Sequence, residues 1–78
     1  MKNLDTKLNE IFSAVFKIKN SKINIASYKN TKNWDSLNHL NLILSIESNF
    51  KIKIDPEISI NLLSYEKIRK YLKKKLKN

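Results

Sequence analysis

Residues 34–50 read WDSLNHLNLILSIESNF, and they contain no lysine or arginine although the 78-residue chain carries a formal net charge of +9. The residues before this stretch include seven lysines against two acids, and those after it include nine basic residues against three acids. Within it, only Asp35 and Glu47 are charged. In so basic a chain, a stretch of helical length without lysine is reserved for something other than an ordinary solvated surface.

The same stretch has two apolar faces when it is wound as a helix at roughly 100° per residue. The face that we assign to the core holds Leu42, Ile43, Ile46 and Phe50. A second face, well over a right angle away, holds Leu37, Leu40 and Leu44. A helix in a small bundle buries one stripe, so we predict that the second face is exposed for a partner. The alternative is that the preceding loop covers these leucines.

Ser36 stands where this helix should begin. A serine there is most often only an N-cap. Asp35 can cap equally well, which would leave the Ser36 hydroxyl free. Unpaired N–H groups and the positive end of the helix dipole favour an anionic group at this place. Ser36 is therefore a candidate for a phosphoester, and Asp35 for helping to hold a divalent cation while the phosphate is installed.

Upstream, an apolar repeat of helical period predicts a first helix over residues 3–18. Residues 19–34 lose the period and fill with polar side chains, which predicts a long loop. We expect Ile23, Ile25 and Tyr28 to pin this loop to the core. Loops of this length are uncommon in small domains and are often functional.

Downstream, residues 51–54 alternate like a strand, but they have no partner strand and are interpreted as a connector with inward isoleucines. Asp55, Pro56 and Glu57 form a helix-start signal, which predicts a short helix over 56–61. Ser64 then caps a last helix. The prediction is one all-α domain over residues 1–78: three longer helices and one short helix, with a long loop between the first two.

Several classes of protein are excluded or disfavoured. The chain has no cysteine, which removes disulfides, cysteine-based zinc sites and thiol catalysis. His39 is the only histidine, and it has no second ligand at a metal-binding spacing, so no metal site is predicted. No apolar run reaches the ~20 residues that span a bilayer, and the N-terminal residues lack a signal-peptide pattern; a cytoplasmic protein is expected.

An enzyme is not expected either. Ser36 and His39 would need an orienting acid and an oxyanion hole to act as a nucleophile and its base. The chain has no glycine for the sharp turn that exposes such a serine, and it is too short to build a cleft around it. No catalytic residue is predicted.

The net charge raises an alternative function, a small basic helical protein that binds nucleic acid or an anionic membrane through its lysine-rich surface. Lys, Asn and Ile dominate while Arg occurs once, which favours compositional bias, because phosphate-binding surfaces usually employ Arg. A protein that tracks phosphates has no need of a lysine-free central helix. We therefore predict no nucleic-acid partner.

The sequence resembles the acyl carrier protein family, including the carrier domains of polyketide and peptide assembly lines. The matching residues in and around the central helix are Asp35-Ser36-Leu37, Leu40, Leu42-Ile43, Ile46-Glu47 and Phe50. The match continues at Ile52, Ile54, Asp55 and Ser64-Tyr65-x-x-Ile68-x-x-Tyr71-Leu72. The resemblance covers nearly the whole chain.

This resemblance implies a four-helix bundle with 4′-phosphopantetheine on Ser36, installed from coenzyme A and Mg²⁺ by a phosphopantetheinyl transferase. The arm's thiol would hold an acyl or aminoacyl group as a thioester, supplied by a loading ligase and used by acyltransferases or condensing enzymes. The carrier itself, a monomer, performs no chemistry. Partners would dock on Leu37, Leu40 and Leu44. The implied core or acyl pocket comprises Leu42, Ile46, Phe50, Ile54 and Leu62.

The chain also departs from the family pattern. Carriers of this type are typically acidic, but Asn41, Ser48 and Asn49 stand where acids are frequent, and Lys51 stands where glycine is common. Electrostatic steering toward basic partners should therefore be weak. We hypothesise a carrier for a specialised pathway, such as assembly of a cell-surface saccharide, a lipid or a secondary metabolite. A module that kept the fold and lost the arm is a third possibility, which the presence of Ser36 disfavours.

Overall fold

The computed structural model describes residues 3–77, and these form five helices without a strand. Their bounds are α1 Asn3–Phe16, α2 Asn20–Ile23, α3 Ser36–Phe50, α4 Pro56–Ser59 and α5 Tyr65–Lys77. The all-α prediction with three long helices is confirmed. The single turn of α2 was not predicted and lies inside the segment that the sequence indicated to be a loop.

Local signals set the helix ends. Lys17 ends α1 in the left-handed conformation (φ 55°), and its N–H donates to the Ser13 carbonyl at 2.9 Å. Lys51 ends α3 in the same way, with φ 55° and ψ 51°. The Ser64 hydroxyl accepts the Lys67 N–H at 3.1 Å, so the predicted cap of the last helix is present. The short helix α4 ends at Ser59, two residues earlier than predicted.

The core forms where α1 meets α2, α3 and α5. Its centre is aromatic: the Phe16 ring stacks on Trp34 at 4.6 Å between centroids, and Phe12 meets Trp34 edge-on at 5.6 Å. Tyr65 packs edge-on against Phe12 at 5.2 Å. The fully buried aliphatic residues are Leu8, Ile23, Leu42, Ile46, Ile68 and Leu72. One apolar stripe from each long helix therefore reaches the same core, as the helical periods predicted.

The loop between α1 and α3 docks differently from the prediction. Ile23 is buried as expected, but Ile25 is 63% and Tyr28 is 43% exposed, so these two assignments were wrong. Ala26 is buried instead. Its carbonyl accepts the Tyr65 N–H at 2.9 Å, and the Tyr28 N–H donates to the Leu63 carbonyl at 2.8 Å. These backbone bonds fix which residues of the loop face inward.

The connector after α3 follows the prediction. Ile54 is buried, and Ile52 is half-buried against the core. The Glu47 carboxylate accepts the Ile54 N–H at 2.8 Å, so the one acid inside α3 is used to hold the connector. This bond explains how two strand-like residues are kept against a helical bundle without a partner strand.

Polar contacts join α5 to α1. Arg69 Nε donates to Asp5 Oδ1 at 2.7 Å, and the Tyr65 hydroxyl donates to Asn9 Oδ1 at 2.9 Å. The hydrogen bond and the charge of Asp5 raise the pKa of Arg69. Burial, and secondly the Asp5 charge, raises the pKa of Tyr65. Since Asp5 pairs with Arg69 and Asn9 with Tyr65, α1 and α5 run antiparallel.

Candidate functional site

Ser36 is the first residue of α3, and its side chain is exposed. Asp35 is the N-cap in an extended conformation (φ −118°), and its Oδ1 accepts the Asn38 N–H at 2.9 Å. The cap uses one of the two carboxylate oxygens. Within residues 3–77 no hydrogen bond involves the Ser36 hydroxyl. Of the two residues able to cap the helix, Asp35 does so and Ser36 keeps a free hydroxyl.

The electrostatics of this position favour an anion. The first N–H groups of a helix have no intrahelical acceptor, and the dipole places partial positive charge there. Asp35 satisfies only the Asn38 amide in the first turn. A phosphodiester on the Ser36 oxygen would carry one negative charge beside this helix end, worth roughly 0.3–1 kcal/mol at an exposed site. The residues present therefore fit a phosphoester-linked group.

A hydrogen-bonded chain behind Ser36 holds the start of α3. Trp34 is 3% exposed, and its Nε1–H donates to His39 Nδ1 at 3.0 Å. Because an indole nitrogen can only donate, Nδ1 must accept, and His39 Nε2–H then donates to the Ser59 carbonyl at 2.7 Å. His39 thereby joins the loop before α3 to the end of α4 as a neutral imidazole with one defined tautomer.

Two asparagines add to this support. Asn33 Nδ2 donates to the Phe16 carbonyl at 2.9 Å, which ties the loop to the end of α1. Asn38 Nδ2 donates to the Asn33 carbonyl at 2.8 Å. No short-range pattern indicates this network, because Asn is common throughout the chain and its partners lie on other elements. Trp34 both braces this helix start through His39 and packs in the core against Phe16.

The second apolar face of α3 is uncovered. Leu37 is 67%, Leu40 is 54% and Leu44 is 52% exposed. The loop between α1 and α3 therefore does not fold over these leucines. They continue from Ser36 along one side of the helix, and no lysine interrupts them. Scattered exposed leucines need no explanation, but a contiguous apolar surface on a small protein is typical of an interaction site.

The residues suggested as an acyl pocket lie together inside the bundle. Leu42 and Ile46 are fully buried, Ile54 and Leu62 are nearly so, and Phe50 is half-buried against the same cluster. They close against one another as a packed core, so an interior site for an acyl chain would require these side chains to separate.

Within the described residues, no group of His, Asp and Glu is arranged to hold a metal ion. None of the helices in residues 3–77 combines the length and apolarity needed to cross a bilayer.

No protein-family model matches the sequence. The acyl carrier protein of Buchnera aphidicola subsp. Schizaphis graminum (strain Sg) is 36% identical over 78 residues, which cover 99% of each chain. The chain belongs to the acyl carrier protein family. The resemblance drawn from the residues around Ser36 is thereby confirmed, together with the helical bundle. Proteins of this family are carriers rather than catalysts, and the family implies a covalent phosphopantetheine group.

Proposed function

We propose that this protein carries an acyl or aminoacyl group as a thioester on a 4′-phosphopantetheine arm esterified to Ser36. The observation that supports this assignment is the exposed, unbonded Ser36 hydroxyl at the start of α3, left free because Asp35 caps the helix. When attached, the group supplies a flexible arm with a terminal thiol that forms the thioester.

The roles of the chain's own residues follow from this geometry. Ser36 would provide the oxygen that attacks the pyrophosphate of coenzyme A: the new bond from this oxygen to phosphorus forms as the bond to the leaving adenosine 3′,5′-bisphosphate breaks, and the serine proton passes to a base of the transferase. Asp35 keeps one carboxylate oxygen outside the cap, where it can help to hold Mg²⁺ during that reaction. The chain Trp34–His39–Ser59 fixes the start of α3, so that partner enzymes meet the modified serine in one orientation.

The exposed leucines Leu37, Leu40 and Leu44 are the proposed docking surface. The transferase, a loading ligase, and acyltransferases or condensing enzymes would each need to reach the arm on Ser36 from this side. Since Glu47 is the only charged residue of α3 and already binds the connector, docking rests on apolar contact. The protein acts as a monomeric carrier with no catalytic residue of its own.

The proposal includes a binding site for the acyl chain inside the helical bundle. Leu42, Ile46, Phe50, Ile54 and Leu62 would line an acyl site if the connector and α4 moved away from α3. Two polar attachments hold these segments: the Glu47 carboxylate binds Ile54 N–H, and the His39 ring binds the Ser59 carbonyl. Release of either bond would loosen the cover of this part of the core.

The kind of pathway is inferred from the composition of the α3 surface. A carrier whose α3 lacks the usual acids suits dedicated partners that recognise leucines, and we place it in a specialised biosynthetic pathway. Loading by its cognate enzyme should then depend weakly on ionic strength. A steep fall in the loading rate with added salt would contradict this assignment.

The modification itself is tested by intact mass. The protein is incubated with coenzyme A, Mg²⁺ and a broad-specificity phosphopantetheinyl transferase. Wild type and Ser48→Ala, a control that removes another exposed hydroxyl of α3, should each gain one phosphopantetheine, whereas Ser36→Ala should gain none. An unchanged wild type, in a reaction that modifies a second carrier added as an internal standard, would contradict the proposal.

A further inference from the structure

A groove lies between the start of α1 and the end of α5, with a volume of about 670 Å³. Its floor is formed by leucines and its rim by lysines: Leu4, Leu72 and Leu76, then Lys70, Lys73 and Lys74. Leu76 is 41% exposed, because the apolar stripe of α5 continues beyond the part of the helix that the other elements cover. Leu72 is fully buried, so the apolar contact that the groove offers beside its lysines comes from the exposed part of Leu76 and from the half-buried Leu4.

The rim is not neutralised from within the protein. Lys70 lies 3.7 Å from Glu66, but Lys73 and Lys74 have no carboxylate within 4.0 Å among residues 3–77. At roughly 100° per residue, Lys73 follows Leu76 around α5, and Lys70 and Lys74 come next, so the three rim lysines share one side of the leucines. Long lysine side chains in this position can lie along apolar surface while their ammonium groups stay in water.

The groove and Ser36 lie at opposite ends of the molecule. Lys7, near the start of α1, bonds to the Asn49 carbonyl at 3.4 Å and lies 5.6 Å from the Phe50 ring centroid. The start of α1 is thus beside the end of α3. Since α5 runs antiparallel to α1, its last turns lie at this same end. Ser36 begins α3, whose fifteen residues separate the two ends by about 20 Å.

We propose that this groove, with Leu4, Leu72 and Leu76 below and Lys70, Lys73 and Lys74 around it, binds the surface of an anionic lipid bilayer. Leu76 enters the interfacial region and the lysines contact lipid phosphates. Charge complementarity and the apolar floor together identify this occupant. A duplex nucleic acid offers the phosphates, but its binding makes no use of an apolar floor. Bound in this way, the protein presents Ser36 away from the membrane.

The binding is tested by sedimentation of the full chain with vesicles made from equal parts of phosphatidylglycerol and phosphatidylcholine, and with pure phosphatidylcholine vesicles. Wild type should sediment only with the anionic vesicles. Each rim lysine should contribute about fivefold to the partition coefficient, so Lys73→Gln/Lys74→Gln should lower it more than tenfold. The matched control Lys29→Gln/Lys32→Gln removes the same charge from exposed loop positions and should change it less than threefold.

Leu76→Ser separates this proposal from simple charge attraction. It should lower partitioning several-fold, whereas Leu40→Ser, at a comparably exposed leucine of α3, should not. Equal losses in the two lysine pairs, no effect of Leu76→Ser, or no sedimentation of wild type would each overturn the proposal. Tighter binding to duplex DNA than to the anionic vesicles at equal salt would overturn it in favour of nucleic acid. Loading of Ser36 in the lysine variants and in Leu76→Ser, measured in parallel, tests the carrier function independently.

Discussion

The helices α3 and α5 have similar inward faces and opposite outward faces. Each buries two aliphatic side chains completely: Leu42 and Ile46 in α3, and Ile68 and Leu72 in α5. Outward, α3 presents three leucines and Glu47 is its only charge, whereas residues 65–76 of α5 present five lysines and Arg69 against Glu66. The two helices are nearly equal in length, so neither length nor core packing accounts for the difference.

The net charge of +9 is therefore spread unevenly: it describes the outward face of α5 but not the outward face of α3. A partner that approaches Ser36 meets an uncharged apolar surface, where recognition acts at contact distance. A partner that approaches α5 meets a positive field, because only Arg69 and Lys70 pair with acids among the described residues, and this field acts over roughly 10 Å at moderate ionic strength. In a lysine-rich chain, the absence of lysine indicates the functional surface more clearly than its presence does.

The largest expected effects concern the inward faces. Leu42→Ala and Leu72→Ala should each lower the free energy of unfolding by about 3–5 kcal/mol, because both side chains are fully buried. Leu40→Ala, on the outward face of α3, should change it by less than about 0.5 kcal/mol. Urea denaturation measures all three. If Leu40→Ala cost as much as Leu42→Ala, the outward face would be part of the core and the comparison would fail.

The next effect concerns docking. Leu40→Ala should lower kcat/KM for phosphopantetheine transfer by about tenfold, the loss typical of a contact at the centre of an interface. Lys73→Gln/Lys74→Gln should leave this value within a factor of two, because α5 lies away from Ser36. A larger loss from the lysine pair than from Leu40→Ala would show that charge governs the encounter with the transferase.

The attachment of α5 to α1 through Tyr65 should make the free energy of unfolding depend on pH. The pKa of Tyr65 is raised by burial and by Asp5, so the folded state holds this proton more tightly than the unfolded chain. The stabilisation is complete below the ordinary tyrosine pKa near 10 and is lost as pH rises through the folded pKa. Tyr65→Phe should cost about 1 kcal/mol at neutral pH, through the lost bond to Asn9.

The same variant should reduce the fall in stability above pH ~10. Thermal melts of wild type and Tyr65→Phe across the alkaline range measure this, and Tyr28→Phe, at an exposed tyrosine, is the control. If wild type and Tyr65→Phe lost equal stability in the alkaline range, ionisation of Tyr65 would not be the cause of that loss.

The smallest effect concerns the end of α3. Lys51 has φ 55°, a conformation that disfavours any residue with a Cβ. Lys51→Gly should therefore raise the free energy of unfolding by about 0.5–1 kcal/mol. Lys53→Gly, two residues later in the connector, should be neutral or destabilising. A loss of stability in Lys51→Gly would mean that the lysine side chain contributes more than its backbone conformation costs.

Local rules predicted the parts of the fold that depend on neighbouring residues. Periodicity identified the core face of α3, and the cap preference placed its start at Asp35 or Ser36. Ile25 and Tyr28 were misplaced because hydrophobicity suggested burial, while backbone bonds to Leu63 and Tyr65 decided the outcome. Those partners lie nearly forty residues away, and a short-range pattern carries no information about them.

The candidate site also has a part that local patterns predicted and a part that depends on distant residues. The sequence indicated Ser36, its possible cap and the leucine face, all within ten residues of one another. It did not indicate the chain from Trp34 through His39 to Ser59, since α4 must first pack beside α3 for that chain to form. Residues that could carry chemistry were therefore visible in the sequence, whereas those that position them became visible only in the fold.

The central claim is that Ser36 carries the arm, and peptide mapping of the loaded protein tests it most directly. Trypsin cleaves after Lys32 and Lys51, so the lysine-free stretch is released as one peptide, residues 33–51, with serines at Ser36, Ser45 and Ser48. Fragmentation of this peptide should place the whole phosphopantetheine mass on Ser36. Its appearance on Ser45 or Ser48, or on a peptide from elsewhere in the chain, would contradict the account.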